Sequence, residues 1–401
     1  MDLASEAREL GPELSALRRR LHAIPEVGLQ LPATQQAILD ELAGLGLEIS
    51  TGTAVSSVTA VLRGGGSGPA VLLRGDMDGL PVVEATGESF APAPGSSYRG
   101  AMHACGHDLH MAGLVGATRL LAAHRDELAG DVVLMFQPGE EGFDGASYMI
   151  DEGVLDAAGS RVVGAYGLHV FSKWFDAGVW AGRAGSLMAA SAALYVKVVG
   201  AGGHGSSPHL AKDPIPAAAE MVTALQTMVT RTFDAFDPVV VTVGSFHAGS
   251  KRNIIPADAV FEATVRSFSA DAAEKAAAAC IRVCENIGAA HGLEVKAEWV
   301  GEYPLTRNDP DEWQFTRGVI AELFGEERIE DMPHPLAGSE DFSRVLDLVP
   351  GAYVFLGATV GPVEDAAPNH SPLARYDDAV LPEGAALLAE LAVRRLARGT
   401  V

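Results

Sequence analysis

Apolar and polar positions follow two rhythms along this chain. Between residues 54 and 180, and again at 351–357, short apolar runs end in glycine or polar residues: SSVTAVL, AVLLRGD, VVLMFQPG, VVGAYGLHV and AYVFLGA. Runs of this length, apolar on consecutive positions rather than on every second one, predict buried strands. Helical spacing falls between and around them, at 5–22, 33–45, 108–123, 144–152 and 311–323, with a closing helix at 382–398. That alternation predicts an α/β domain.

The middle of the chain has its own order: a strand at ALYVKVVG, a helix over 214–232, strands at VVVTVGSF and AVFEATVRSF, a helix over 270–290 and a strand at LEVKAEWV. The series βαββαβ predicts a ferredoxin-like sandwich inserted into the first domain. At 401 residues the chain is longer than one core usually serves. The expected division is therefore 1–184 and 301–401 for the α/β domain and 185–300 for the insert. Turn-rich stretches, AGRAGS at 181–186 and GEYPLTRNDP at 301–310, are the expected hinges.

Charge narrows the partners. With 29 basic and 52 acidic residues the formal net charge is −23, which repels nucleic acid and anionic membrane alike. The one basic run, Arg18 to Arg20, reads as a solvated helix face. The charged N-terminal stretch lacks a signal-like apolar segment, and no eighteen apolar residues run together, so a soluble cytoplasmic protein is expected. Cys280 and Cys284, four apart on a helical pattern, suit buried small residues in a reducing compartment. Cys105 differs because its neighbours are polar.

Those neighbours form the run MHACGHDLH at 102–110. Other acid and imidazole groups follow the strands: Asp76-Met77-Asp78 after AVLLRG, Glu140-Glu141 after VVLMFQPG, His169 within VVGAYGLHV, and Asn369-His370-Ser371-Pro372 after AYVFLGA. Open α/β sheets bind ligands at the carboxyl ends of their strands, so one cleft can collect all of these. Thiolate, imidazole and carboxylate together are the donor set of zinc and its neighbours. Cys105 and His107, two apart in an extended loop, would face the same way. More than four candidate donors favours two metals over one structural zinc. In an extended Glu140-Glu141 pair one carboxylate would hold metal and the other would move a proton. Gly200, Gly202 and Gly205 fit a dinucleotide pattern, yet SSPHLAKDP follows in place of a helix, which argues against that reading.

The motifs RGDMDGLPV, MHACGHDLH, QPGEEG, GLHV, GGHGSSPH, NIIP, GSEDFS and NHSP, in this order, resemble the dinuclear-metal amidohydrolases that include hippurate hydrolases, auxin-conjugate hydrolases and N-acyl-amino-acid deacylases. The resemblance implies a zinc-peptidase-like catalytic domain with a central mixed sheet flanked by helices, and an inserted lid or dimerisation domain. It implies that Cys105, His107, Glu141, His169 and His370 hold two divalent ions, zinc foremost, with manganese, cobalt or nickel as alternatives. Glu140 would be the general base, Asp78 would orient a ligand, and His204 would reach the substrate carbonyl in this or a partner subunit. The chain departs from the pattern at Gln30 and Leu31 before Thr34, and at Gly79 in place of an alanine.

The expected substrate is a small N-acyl or N-aroyl amino acid. Arg252 and Asn253, with Lys212 behind them, are candidates for its carboxylate. Two rivals remain: a dipeptidase or aminopeptidase, with Asp144 or Glu340 anchoring a free amine, and a non-catalytic metal-binding protein. The latter would have no need of Glu140. Edge-to-edge pairing through the insert offers a route to a homodimer.

Overall fold

The strand Ala70–Asp76 is buried at every position, so its apolar residues run on without the alternation of a half-exposed strand. The computed structural model describes residues 1–398. The chain forms two compact units, one of residues 1–187, 307–334 and 341 onward, the other of Met188–Thr306 and Pro335–Glu340.

The first unit is a mixed α/β structure built on an eight-stranded sheet. Its spatial order is Glu48–Thr51, Val58–Leu62, Asp131–Gln137, Ala70–Asp76, Ala165–Phe171, Gly351–Gly357, Trp180–Gly182 and Ile329–Asp331. The four strands from Asp131–Gln137 to Gly351–Gly357 are mutually parallel, whereas Val58–Leu62 and Trp180–Gly182 run antiparallel to their inner neighbours. The carboxyl ends of four inner strands therefore lie along one edge. Helices Leu3–His22, His107–Ala123 and Leu381–Ala397 pack on one another, and the last two also pack on the strands Ala70–Asp76 and Ala165–Phe171. The helix Leu3–His22 buries Leu3, Ala7, Leu14, Leu17 and Leu21, a single face at helical spacing.

Helix starts follow local chemistry. Asp2 accepts the Ser5 N–H, and Asp309, ahead of Pro310, accepts those of Asp311 and Glu312, each satisfying donors that the first turn leaves open. Leu31 makes no side-chain cap for the helix Pro32–Leu42. Instead the Glu26 carboxylate accepts from Ala33 N and Thr34 N at 3.3 and 2.8 Å, which accounts locally for a chain without the acidic pair at Gln30 and Leu31. At Gly79 a Cβ would lie 3.1 Å from Met102 O and 3.2 Å from Pro25, so an alanine there would need its neighbours to give way.

The second unit has four antiparallel strands in the order Val239–Ala248, Asp258–Ser267, Ala190–Val199, Glu294–Tyr303. Helices Pro214–Thr232 and Ala270–Ala290 pack against this sheet. Leu194, Val196 and Val198 point into its core while Tyr195 and Lys197 do not, the period of two of a sheet covered on one face. Cys280 and Cys284 are free thiols buried in that core.

The expected solvated face is corrected at one residue. Arg18 is not solvated: only 2% exposed, it pairs with Asp108 at 2.7 Å and Asp378 at 3.2 Å. Arg19 and Arg20 keep the exposed face. The expected hinges at 181–186 and 301–310 hold short strands as well as turns, Trp180–Gly182, Gly185–Met188 and Thr306–Asn308, and the two units divide at 187/188 and 306/307. No helix among the described residues is long and apolar enough to cross a membrane.

Candidate metal centre

Four parallel strands end on one edge, and the loops beyond them must bend sharply to bring donors together. Between Cys105 and His107 the bend falls on Gly106, at φ +87°, where a Cβ would sit 2.4 Å from a Val170 methyl. Only glycine fits that position. The chain then enters the helix at His107, so a turn, not an extended loop, aims these two side chains. Glu140 and Glu141 also lie in a turn rather than an extended pair: Gly142 N–H donates to Glu140 O over 2.7 Å. The Asp78 carboxylate holds that turn, accepting from Glu140 N at 2.9 Å and Glu141 N at 3.1 Å.

The imidazoles are fixed through their Nδ1 atoms. His107 Nδ1 donates to Asp78 O and His169 Nδ1 to Val170 O, each over 2.8 Å. Their Nε2 atoms turn inward, as metal-binding histidines do when the other ring nitrogen is anchored. His169 Nε2 lies 3.3 Å from Cys105 Sγ, and His370 Nε2 also lies 3.3 Å from that sulfur. His370 Nε2 is 3.1 Å from Glu141 Oε1, although that oxygen, buried, is outside hydrogen-bond geometry. His370 adopts φ +69°, a costly backbone for a residue with a Cβ.

Negative charge is in excess. Burial disfavours a charged His107, yet Asp76 and Asp78 outweigh it and lift its pKa to about 10. Burial, reinforced by Glu141 and Glu140, pushes the Cys105 thiol well above its ordinary range. Burial and then His110 hold His169 well below, as a neutral imidazole. Burial raises Glu141, but His370 and His107 outweigh it and its pKa is lowered.

Donor atoms fall into groups within 4.8 Å of one another: Cys105, His107 and His169; Cys105, Glu141 and His370; His107, Glu140 and Glu141. His107 Nε2 and Glu141 Oε1 are buried without hydrogen-bond partners, which is costly unless something else occupies them. A thiol, imidazoles and carboxylates converging on orphaned inward-facing atoms fit divalent cations. Cys105, His107 and Glu141 each belong to two of these groups, which suits a pair of adjoining sites.

Several supporting residues stand outside the roles that the motifs assign. Asn369 donates to Val170 O at 3.1 Å and accepts from Ser172 N at 2.9 Å, tying the His370 loop to the end of the His169 strand. His110 is fully engaged, with Nδ1 on Asp76 at 2.5 Å and Nε2 accepting Val170 N–H at 2.8 Å. Beneath it Arg74, wholly buried, pairs with Asp76 at 2.6 Å and Asp341 at 3.2 Å. Arg74 and Asp76 stand two apart in a strand, hence on one face, which is a readable signal. His103 is buried with both ring nitrogens unpartnered; burial drives its pKa down to about 3.

In the second unit His204 and Ile254 are register partners in a two-stranded ribbon. The ribbon brings Arg252 and Asn253 near His204 in the fold, and Asn253 O accepts Gly205 N–H over 2.9 Å. Lys212, exposed, pairs through its backbone with Ala201. Ser206 N–H donates to His204 Nδ1 over 3.2 Å, so the neutral ring carries its proton on Nε2. Asp144, the candidate amine anchor, pairs with Arg344 at 2.9 Å, and Glu340 is buried.

Comparison with known proteins agrees with this architecture. Residues 72–394 match the model of peptidase family M20/M25/M40. A hippurate hydrolase of Campylobacter jejuni is 33% identical over 99% of this chain and 100% of its own, and thermostable carboxypeptidase 2 of Saccharolobus solfataricus is 34% identical over 98% of both. Among solved structures, the YXEP protein of Bacillus subtilis, a dinuclear metal-binding peptidase of the M20 family, superposes with a TM-score of 0.81 at 30% identity, covering 97% of this chain and 99% of that one. With a buried thiol, imidazole and carboxylate cluster at the strand ends, and these relatives along its whole length, the chain belongs to peptidase family M20/M25/M40 and is a hydrolase of amide or peptide bonds.

Proposed function

We propose that the protein is a metal-dependent amidohydrolase that cleaves N-acyl or N-aroyl amino acids to a carboxylic acid and a free amino acid. The observation that carries this is the convergence of Cys105, His107, Glu141, His169 and His370, with Glu140 Oε2 3.9 Å from His107 Nε2. Two divalent ions, zinc foremost and manganese, cobalt or nickel as alternatives, would be held by Cys105, His107 and His169 and by Cys105, Glu141 and His370. When bound, such ions polarise a carbonyl and lower the pKa of water from 15.7 toward ~7.

Glu140 then takes a proton from the attacking water on a carboxylate oxygen. It returns the proton to the amide nitrogen as the C–N bond breaks, a role worth roughly 10² to 10⁴ in rate. Asp78 keeps Glu140 and Glu141 in place through their backbone amides. His204, from this or a partner subunit, would donate from Nε2 to the carbonyl oxygen, the proton kept there by Ser206. Arg252 and Asn253 take the carboxylate of the leaving amino acid. Segments 1–184 and 301–401 form the catalytic domain in this reading. Segment 185–300 forms a ferredoxin-like lid whose edge strands offer a homodimer surface, and three free cysteines suit the cytoplasm.

The relatives support the leaving group. Hippurate is benzoylglycine, and a carboxypeptidase releases a C-terminal residue, so both free an amino acid that carries a carboxylate. An aminopeptidase would need an anionic anchor for a free amine, and Asp144 is already paired with Arg344. The test is hydrolysis of hippurate, N-acetyl amino acids, a longer N-acyl glutamine and a free dipeptide by metal-stripped enzyme with each metal restored. Metal-restored cleavage of the acylated members is expected; cleavage of the free dipeptide alone would replace this reading with the peptidase.

A further inference from the structure

Among the described residues, Trp174 is the one phenylalanine, tyrosine or tryptophan with a left-handed backbone, at φ +88°. Glycine would take that conformation without strain, whereas a residue with an indole side chain is strained in it. Burial does not offset the strain, because Trp174 is 55% exposed. Nor is the conformation a frayed loop. Ser172 is buried and held by Asn369, Lys173 Nζ donates to Ala366 O over 2.8 Å, and Phe175 is buried. The chain is pinned on both sides of a side chain that it presents outward.

One face of the indole is engaged. Trp174 stacks on Phe171, with ring centroids 5.7 Å apart and planes within 16°. The Phe171 ring lies 5.0 Å from that of His169 and is braced edge-on by Phe175 and Phe355. A rigid aromatic ledge thus begins at a candidate metal ligand and continues outward to an accessible ring. Aromatic surfaces of this kind favour a second planar ring in offset-stacked or edge-on contact.

We infer that Phe171 and Trp174 form the subsite for the acyl group, and that Trp174 makes the enzyme prefer planar aroyl groups to small acyl groups. This rests on the amidohydrolase reading, which places the scissile amide at the cluster containing His169. Trp174 is a specificity-determining residue here and takes no part in proton transfer.

The experiment compares wild type, Trp174→Ala, Trp174→Gly and Trp174→Phe, all zinc-loaded. It reads kcat/KM for N-benzoylglycine and N-acetylglycine, and separately the calorimetric affinities for benzoate and acetate. The alanine and glycine variants should lower the benzoyl-to-acetyl ratio about tenfold, and phenylalanine should keep it within about twofold, as expected for loss or retention of one aromatic contact. Trp174→Gly relieves the strained backbone, so an undiminished thermal midpoint there shows that the fold is intact. Equal losses on both substrates, or an unchanged ratio, would overturn the inference while leaving amide hydrolysis standing. If wild type cleaves neither substrate, the functional reading fails on its own. Benzoate binding then decides the ledge: affinity that weakens in Trp174→Ala upholds it, and affinity that is absent or unchanged overturns it.

Discussion

Asp78 holds Glu140 by its backbone: the Glu140 N–H donates to Asp78 Oδ1 over 2.9 Å, and the neighbouring Glu141 N–H donates to Oδ2 over 3.1 Å. One carboxylate thus sets a turn carrying both the proposed base and a proposed ligand. The same residue's carbonyl oxygen accepts from His107 Nδ1, so the segment at Asp78 positions three of the proposed site residues.

Replacing Asp78 with alanine removes the turn's acceptors while leaving the carbonyl. Supporting contacts of this kind typically cost about 10- to 100-fold in metal affinity or activity when lost. Asp78→Ala should fall in that range by kcat, with Asp78→Asn, which keeps one acceptor, losing less. Equal activity in all three proteins would show that the turn holds itself.

Base and ligand should separate by metal content. Glu140→Gln keeps the donor set and should retain metal by elemental analysis while turnover drops roughly 10² to 10⁴. Cys105→Ala removes the sulfur common to two donor groups and should lose metal first and activity with it. Metal loss in Glu140→Gln, or full occupancy in Cys105→Ala, would reassign these roles.

Arg18 supports the histidine loop from behind. It is buried against Asp108, the residue after His107; removing one partner of a buried pair costs about 3–5 kcal/mol where the other charge is stranded, and because His22 also pairs with Asp108 the loss here should fall below that range. Arg18→Met should lower the urea midpoint accordingly. A solvated surface arginine would instead give a change within about 0.5 kcal/mol.

His22 joins the same cluster, with Nδ1 2.8 Å from Asp108 and Nε2 3.2 Å from Glu84. Burial opposes its charge, yet Asp108 and Glu84 overcome this and raise its pKa from 6.5 to about 9. A raised folded-state pKa means that the stabilisation is complete below pH 6.5 and disappears as pH climbs through 9. The shift corresponds to about 3 kcal/mol. Melting curves from about pH 6 to 9.5 should show wild type losing its advantage over His22→Gln across that window; parallel curves would remove His22 from the stability balance.

The strands buried on both faces are legible because an unbroken apolar run of that length needs cover on both sides, and Ala70–Asp76 and Gly351–Gly357 fall where AVLLRGD and AYVFLGA stand. The helix Pro214–Thr232 is equally plain from Asp213 and Pro214, a cap followed by a proline suited to a first turn. Short pieces such as Glu48–Thr51, exposed throughout, and Ile329–Asp331 are not legible, because three or four residues carry no periodicity. At the site, residue types name the donors. They do not show that turns at Gly106 and Gly139, both at positive φ, aim them in place of extended chain, since backbone handedness depends on what surrounds the turn. Arg18 is misread for a related reason: a charge on an amphipathic helix looks solvated until its acidic partners, 90 and 360 residues away, are known.

The strand Gly351–Gly357 lies beside Ala165–Phe171, and His370 follows it after the whole second unit has been threaded. A ribosome emits the chain in order, so Cys105, His107, Glu141 and His169 leave the exit tunnel at least 201 residues before His370. At ~5–20 residues per second that interval is roughly 10–40 s. During it the nascent protein carries four of the five proposed donors without His370, and the strand Ala165–Phe171 has Ala70–Asp76 on one side but not yet Gly351–Gly357 on the other. If the proposed donor set is right, loading the centre is a late event in the life of the chain, and a newborn molecule would be most open to oxidation or to the wrong metal until the segment from Gly351 to His370 has been made.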